Sequence, residues 1–241
     1  MSATSDGGGS VSSTSEPRTA APLIVALDGP SGAGKTTVGK LLAQRLSAAF
    51  LDTGVLYRAL TLQALERGVP PADEAPLAEL ARDLPVEMEL IDLRESVLLD
   101  GVDVTDAIRS PTVDAYVSQV ASHPAVRAAL IQPQRRVAER RRAVVVGRDI
   151  GTVIFPDADV KVYLEASAAE RARRRAEQSG DVASEASVQH DMEHRDAQDR
   201  GRAVAPLEPA ADAVIIETDG VPIEEVVEEV YSLVPAAQRR A

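Results

Sequence analysis

A chain of 241 residues with 44% apolar content can bury one compact core with an embellishment, but 2% aromatics and no Trp leave that core to Val, Leu, Ile and Ala. The absence of Cys removes disulfides, thiolate metal sites and cysteine nucleophiles, and three scattered His argue against a zinc enzyme. A net charge of -12 speaks against nucleic acid as a partner, and no apolar run approaches the roughly 18 residues of a membrane span.

Residues 1–20 are mostly Ser, Thr, Gly and Ala and cannot bury enough surface to order themselves, so a disordered tail is expected there. They lack the apolar stretch of a secretory signal, and a cytoplasmic protein with one ordered domain over 21–241 is the expectation. Leu23 to Leu27 reads as a buried parallel strand, and Thr37 to Leu46 as a helix with an apolar face of Val38, Leu41, Leu42 and Leu46. Between them stands Gly29-Pro30-Ser31-Gly32-Ala33-Gly34-Lys35-Thr36, which fits G-x-x-x-x-G-K-[ST] in the strand–loop–helix setting that the pattern requires. Main-chain N–H groups from Gly29 to Thr37 would cradle phosphate oxygens, helped by the positive end of the helix. Lys35 can reach the β- and γ-phosphates, and the Thr36 hydroxyl can join a Mg²⁺ shell. A glycine-rich turn that merely precedes a lysine is the bland alternative, and the flanking periodicity weighs against it.

Phe50 to Gly54 reads as a short strand and turn, followed by a helix over 55–67 that Gly68 stops. A short helix is expected at 76–82. Residues 86–104 alternate with period two around Asp100-Gly101, a strong hairpin pair, and predict a small antiparallel insert. Helices are expected at 111–121 and 124–141, with Pro124 in the first turn of the second. Ala143 to Gly147 and Val160 to Leu164 read as central strands, each a continuous apolar run. An Arg-rich helix at 168–178, a charged helix at 188–202, a strand at 213–216 and an amphipathic helix at 222–233 complete the chain. Strands alternating with helices predict a doubly wound α/β fold, a parallel sheet with helices on both faces. Ligands bind such sheets at the carboxyl ends of the strands, where the loop at 29–36, the turn at 52–54 and Arg148-Asp149 should converge.

Arginine recurs around that predicted cleft. Arg58 lies one turn beyond Thr53-Gly54, and Arg127 opens a helix that follows the one carrying Ser118. Arg195, Asp199 and Arg202 are spaced to share one face of a helix, whereas Asp196 and Arg200 read as its solvated surface. Of Arg171, Arg173, Arg174 and Arg175, at least half are expected to be surface. Guanidinium forks grip phosphates bidentately, so several forks aimed at one place suggest a substrate with a phosphate of its own. Asp149, at the end of a central strand, would be costly to bury without a partner. Arg148 could hold it, or it could accept a hydrogen bond from an exocyclic amine such as cytosine N4.

The stretches DGPSGAGKTT (28–37), LDTGVLYR (51–58), GVDVTDAIR (101–109), GRDIGTVIFPDA (147–158) and the Arg–Asp–Arg run before AVAPL (195–207) resemble the bacterial cytidylate kinases, and the likeness covers about 23–231. The resemblance implies transfer of the ATP γ-phosphoryl group to CMP or dCMP with Mg²⁺, on a core with a CMP-binding insert (54–142) and a short helical lid (171–188). It implies that Thr53, Arg58, Arg148 and Arg202 hold the acceptor phosphate. Ser118, Arg127 and Asp149 would read the cytosine edge, and Arg195 and Asp199 would meet the sugar and neighbouring phosphates. Lys35, Arg58, Arg148 and Arg202 would carry the catalytic charge, and Thr36 the metal. Thr53 stands where Ser is familiar, and Gln198 where some relatives carry Arg. Small-molecule nucleotides are the expected partners of a monomer, with no nucleic acid and no membrane. A P-loop kinase for another nucleotide or metabolite is the alternative; a GTP switch would need an N-K-x-D sequence, which is missing, and a non-catalytic nucleotide module sits poorly with the intact Lys35 and Thr36.

Overall fold

The computed structural model describes residues 22–136, 138–139, 141–179 and 185–239; the expected tail and the middle of the expected lid fall outside them. In chain order these form β1 (Leu23–Asp28), α1 (Lys35–Arg45), β2 (Ala49–Asp52), α2 (Thr53–Glu66), α3 (Glu74–Arg82), β3 (Val86–Ile91), β4 (Arg94–Leu99), β5 (Val102–Asp103), α4 (Pro111–Ser122), α5 (Pro124–Arg136), β6 (Arg142–Val146), β7 (Val160–Glu165), α6 (Ala168–Ser179), α7 (Glu185–Arg200), β8 (Val214–Glu217) and α8 (Ile223–Leu233). Strands β2, β6, β1, β7 and β8 lie parallel in that order.

Leu23, Val25 and Leu27 of β1 pack with α1 and α8, while Ala26 faces the opposite layer with Leu51, Val145, Ile150 and Ile154. A strand covered on both faces has no polar side to show, which is why it reads as an unbroken apolar run rather than an alternation. The second layer includes a π-helical turn at Ile150–Ile154 directly after Arg148-Asp149, an element the sequence reading did not contain.

The insert has two small cores that share α2. Leu56, Leu60 and Ala64 pack on α3, α4 and α5, while Val55 and Ala59 pack under Val97, Leu99, Val104 and Ile108. The antiparallel sheet is a three-stranded meander rather than one hairpin. Asp100-Gly101 turns β4 into β5, and a second turn at Asp92-Leu93 joins β3 to β4. Both residues of that second turn have positive φ, 49° and 63°, a backbone that neither Asp nor Leu advertises as strongly as Asn-Gly. Helix α5 stops at Arg136, short of the expected 141, three residues after Pro133 within it. Pro111 takes the first helical position of α4, and the Ser110 hydroxyl caps it from the preceding residue.

Candidate active site

The carboxyl ends of β1, β2 and β6 open onto one cleft of about 880 Å³. On its loop side, Ser31 to Thr37 line the wall. Gly29 and Pro30 do not; they are buried beneath, and a Cβ on Gly29 would come 2.2 Å from the Leu164 carbonyl oxygen at a φ of 143°. Their part is to let the loop lie against β7. The buried Lys35 ammonium donates to the Pro30 carbonyl at 2.6 Å. Burial pushes it well below the usual lysine range and Arg148 adds to this, while Asp52 and Asp28 oppose. The Thr36 hydroxyl donates to Asp52 at 2.8 Å, and the other Asp52 oxygen accepts the Gly54 N–H and so caps α2.

Helix α6 closes this side. Arg171 donates to the Ser31 carbonyl at 3.0 Å and meets Asp196 of α7 at 2.6 Å, both side chains buried. Asp196 is therefore an inner residue of α7, not the solvated one that its sequence setting suggests; Arg200 is exposed as expected. Arg174 reaches Glu170 and Thr218, and Arg173 stays on the surface between Glu170 and Glu177.

On the far side, every other residue singled out from the sequence lines the same cleft: Thr53, Arg58, Ser118, Arg127, Arg148, Asp149, Arg195, Asp199 and Arg202. Thr53 donates its hydroxyl to the Val146 carbonyl at 3.0 Å, in a space that a Cβ on Gly147 would invade at 2.6 Å. Asp149 is buried and paired with Arg127, whose guanidinium also donates to the Ala121 carbonyl at 3.1 Å and lies 5.4 Å from the Tyr57 ring centre. Adjacency suggests that Arg148 holds Asp149, but the two lie in the turn beyond β6 and take separate partners. Arg148 Nε donates to Asp199 at 3.0 Å, and Arg202 takes the other Asp199 oxygen. Burial works against the Arg148 charge, but Asp199, Asp196 and Asp52 together hold the guanidinium above its ordinary range. For Arg202 and Arg195 burial prevails and lowers them. Arg202 lies beyond the end of α7 rather than on its face; the chain turns there, with the Leu207 N–H returning to the Asp199 carbonyl.

The sequence reading passed over three carboxylates. Asp28, the last residue of β1, accepts the Ile150 and Gly151 N–H groups at 2.8 Å each. It thereby ties the root of the loop to the turn after Arg148-Asp149. Burial raises its pKa to about 6 despite those two amides. The argument applied to Asp149, a carboxylate closing an apolar strand, was available for Asp28 and for Asp52. Asp114 on α4 gave no such signal.

A parallel sheet with a glycine-rich loop between β1 and α1, and a cleft shared by that loop and clustered guanidinium groups, defines a P-loop phosphotransferase of the small-kinase type. The cytidylate kinase family model matches residues 25–236. A cytidylate kinase from Rhodococcus jostii is 50% identical over 85% of this chain and 91% of its own, and one from Desulfitobacterium hafniense is 46% identical over 88% and 92%. The chain belongs to the cytidylate kinase family. Among solved structures, a gluconokinase from Sinorhizobium meliloti covers 90% of this chain and 94% of its own at 17% identity with a TM-score of 0.45, so the family assignment rests on the sequence matches.

Proposed function

We propose that this protein transfers the γ-phosphoryl group of ATP to CMP or dCMP, giving ADP and CDP or dCDP. The observation that carries the reading is one cleft with a main-chain phosphate cradle at one end and, at the other, guanidinium groups beside the buried Arg127–Asp149 pair. Two polyanions brought end to end repel each other, and Lys35, Arg58, Arg148 and Arg202 supply the opposing charge. The triphosphate would lie along Ser31 to Thr37, where its anionic oxygens would restore the charge that burial now disfavours on Lys35. The acceptor phosphate would sit between Thr53, Arg58, Arg148 and Arg202. Ser118, Arg127 and Asp149 would face the base. A carboxylate accepts from the cytosine amine and repels the uracil carbonyl, which favours CMP over UMP. Arg195 and Asp199 would adjoin the sugar and the neighbouring phosphates.

No general base is required. A phosphate monoester has its second pKa near ~6, so the attacking oxygen is already ionised at neutral pH. This accords with the cleft wall, to which no His among the described residues contributes. Catalysis then consists of holding two anions in line and neutralising developing charge. The residues present suit Mg²⁺: the Thr36 hydroxyl beside the Asp52 carboxylate offers hard oxygen donors. The described residues form no cluster of three or more acidic or His ligands, in keeping with an ion held largely by nucleotide oxygens and water. Such an ion would neutralise phosphate charge during transfer. Water must be kept out, or ATP would be hydrolysed without acceptor; α6 and α7, within and beside the proposed lid at 171–188, form the cover. The proposed CMP-binding insert spans 54–142.

The test is to titrate each nucleoside monophosphate against ATP-Mg²⁺ and follow ADP release. CMP and dCMP should give the highest kcat/KM. A different preferred acceptor would transfer the reading to another small-molecule kinase, and no acceptor-dependent turnover would end it.

A further inference from the structure

Outside the motifs that carry the family likeness, Asp114 draws three guanidinium groups from three helices onto one carboxylate. Arg58 Nη2 of α2 donates to its Oδ1 at 2.6 Å, Arg195 Nη1 of α7 to the same oxygen at 3.2 Å, and Arg175 Nη2 of α6 to Oδ2 at 2.9 Å. All three arginines line the cleft, whereas Asp114 does not: it stands behind them. Three like charges brought this close repel one another, and burial already disfavours Arg195. One carboxylate lowers that repulsion. It engages a single terminal nitrogen of each arginine, and a guanidinium has five N–H donors, so donors remain for a ligand. Arg58 is further fixed by its Nη1, which donates to the Ile108 carbonyl at 3.0 Å.

We infer that Asp114 is a positioning residue for the acceptor: it gathers Arg58, Arg195 and Arg175 behind the cleft wall, so that the incoming phosphate meets forks already set. This rests on the proposed reading of the cleft. The three arginines and one carboxylate keep a net charge of about +2, so the wall beside Arg148 and Arg202 stays attractive to a monoester phosphate of about −2. Without the carboxylate, three long side chains must be ordered at the moment of binding, and that cost falls on acceptor affinity. The same carboxylate also links α4 to α2, α6 and α7.

The test uses the full chain with Asp114→Asn, which keeps the shape and removes the charge, and Asp114→Glu, which keeps the charge. Initial rates are measured against CMP at saturating ATP-Mg²⁺ and against ATP at saturating CMP. For Asp114→Asn, KM for CMP should rise about tenfold with KM for ATP within about twofold of wild type, while kcat, in which Arg58 shares, should fall by less than KM for CMP rises, and Asp114→Glu should fall between the two. A melting curve shows that each variant is folded; if Asp114→Asn is not, Asp114→Ser takes its place. An unchanged KM for CMP overturns the inference. A lower one also does, because it would make Asp114 a competitor of the phosphate. Equal losses in kcat and in both KM values would mean a structural role and overturn it too. A wild-type enzyme that fails to turn over CMP defeats the proposed function itself; wild-type turnover with an indifferent variant defeats this inference alone.

Discussion

The two sides of the cleft are built on different plans. The loop side is one contiguous run, Ser31 to Thr37, and its donors are largely main-chain N–H groups set by the turn between β1 and α1. The arginine side is gathered from α2, α4, α5, the end of β6, α7 and the segment beyond it, and its donors are long side chains. Main-chain donors need no counter-charge. Buried guanidinium groups do, and each cluster here has a carboxylate: Asp149 for Arg127, Asp199 for Arg148 and Arg202, Asp114 for Arg58, Arg175 and Arg195. In the proposed reading, a phosphate site made of backbone is a local object, and one made of arginine is a charge-balanced network.

Four experiments can break or sharpen that contrast. On the loop side, Lys35→Ala should lower kcat by about a hundred- to a thousand-fold while the protein still melts cooperatively. Near wild-type ADP release would refute its role. Between the two sides stands Asp28, whose pKa is raised from 3.8 to about 6 in the folded state. A raised carboxyl pKa means that its contribution to stability is fully present below the unfolded value and is lost as pH rises through the folded one. Wild type should therefore lose about 3 kcal/mol between pH 4 and 7 relative to Asp28→Asn. Parallel stability curves for the two proteins over that range would remove Asp28 as the titrating tie.

On the arginine side, Asp149→Ala should narrow the kcat/KM preference for CMP over UMP by about tenfold or more. The ratio is internal to each protein, so loss of stability from the unpaired Arg127 cancels. An unaltered ratio would assign Asp149 to scaffolding. The smallest effect is expected beside the network but on the exposed face of α7: Arg200→Ala should leave KM for CMP within about twofold, whereas Arg202→Ala should raise it at least about tenfold. Equal responses at the two positions would mean that the charged stretch acts as a diffuse field rather than as a fork.

The pattern of legibility follows from the same contrast. The strand–loop–helix at 23–46 could be read directly, because period, glycine spacing and Lys35 are all local. The arginine-side residues stood out by their recurrence and spacing, but their separate roles came only from the family likeness, and spacing misled on two counts. Arg202 seemed to continue a helix that ends at Arg200; Gly201 directly after it is a stop signal that the shared-face spacing overrode, and the contact from Leu207 to Asp199 fixes the turn. Asp196 seemed a surface residue because its partner, Arg171, lies in another helix. The turn at Asp92-Leu93 went unseen because register with β4, rather than turn-favouring residues, imposes its backbone.

By itself the sequence determined which segments are buried strands, where a phosphate can be cradled, and that the core must be aliphatic, because these depend on neighbours along the chain. Only the tertiary structure decided which carboxylate faces which arginine: that Asp149 goes to Arg127, Asp199 to Arg148 and Arg202, and Asp114 to three helices at once. Charge pairing acts through space over a few ångströms, and all of these pairs but Asp199–Arg202 join residues 22 to 81 positions apart in sequence, which come that close only after the sheet and its helices have packed.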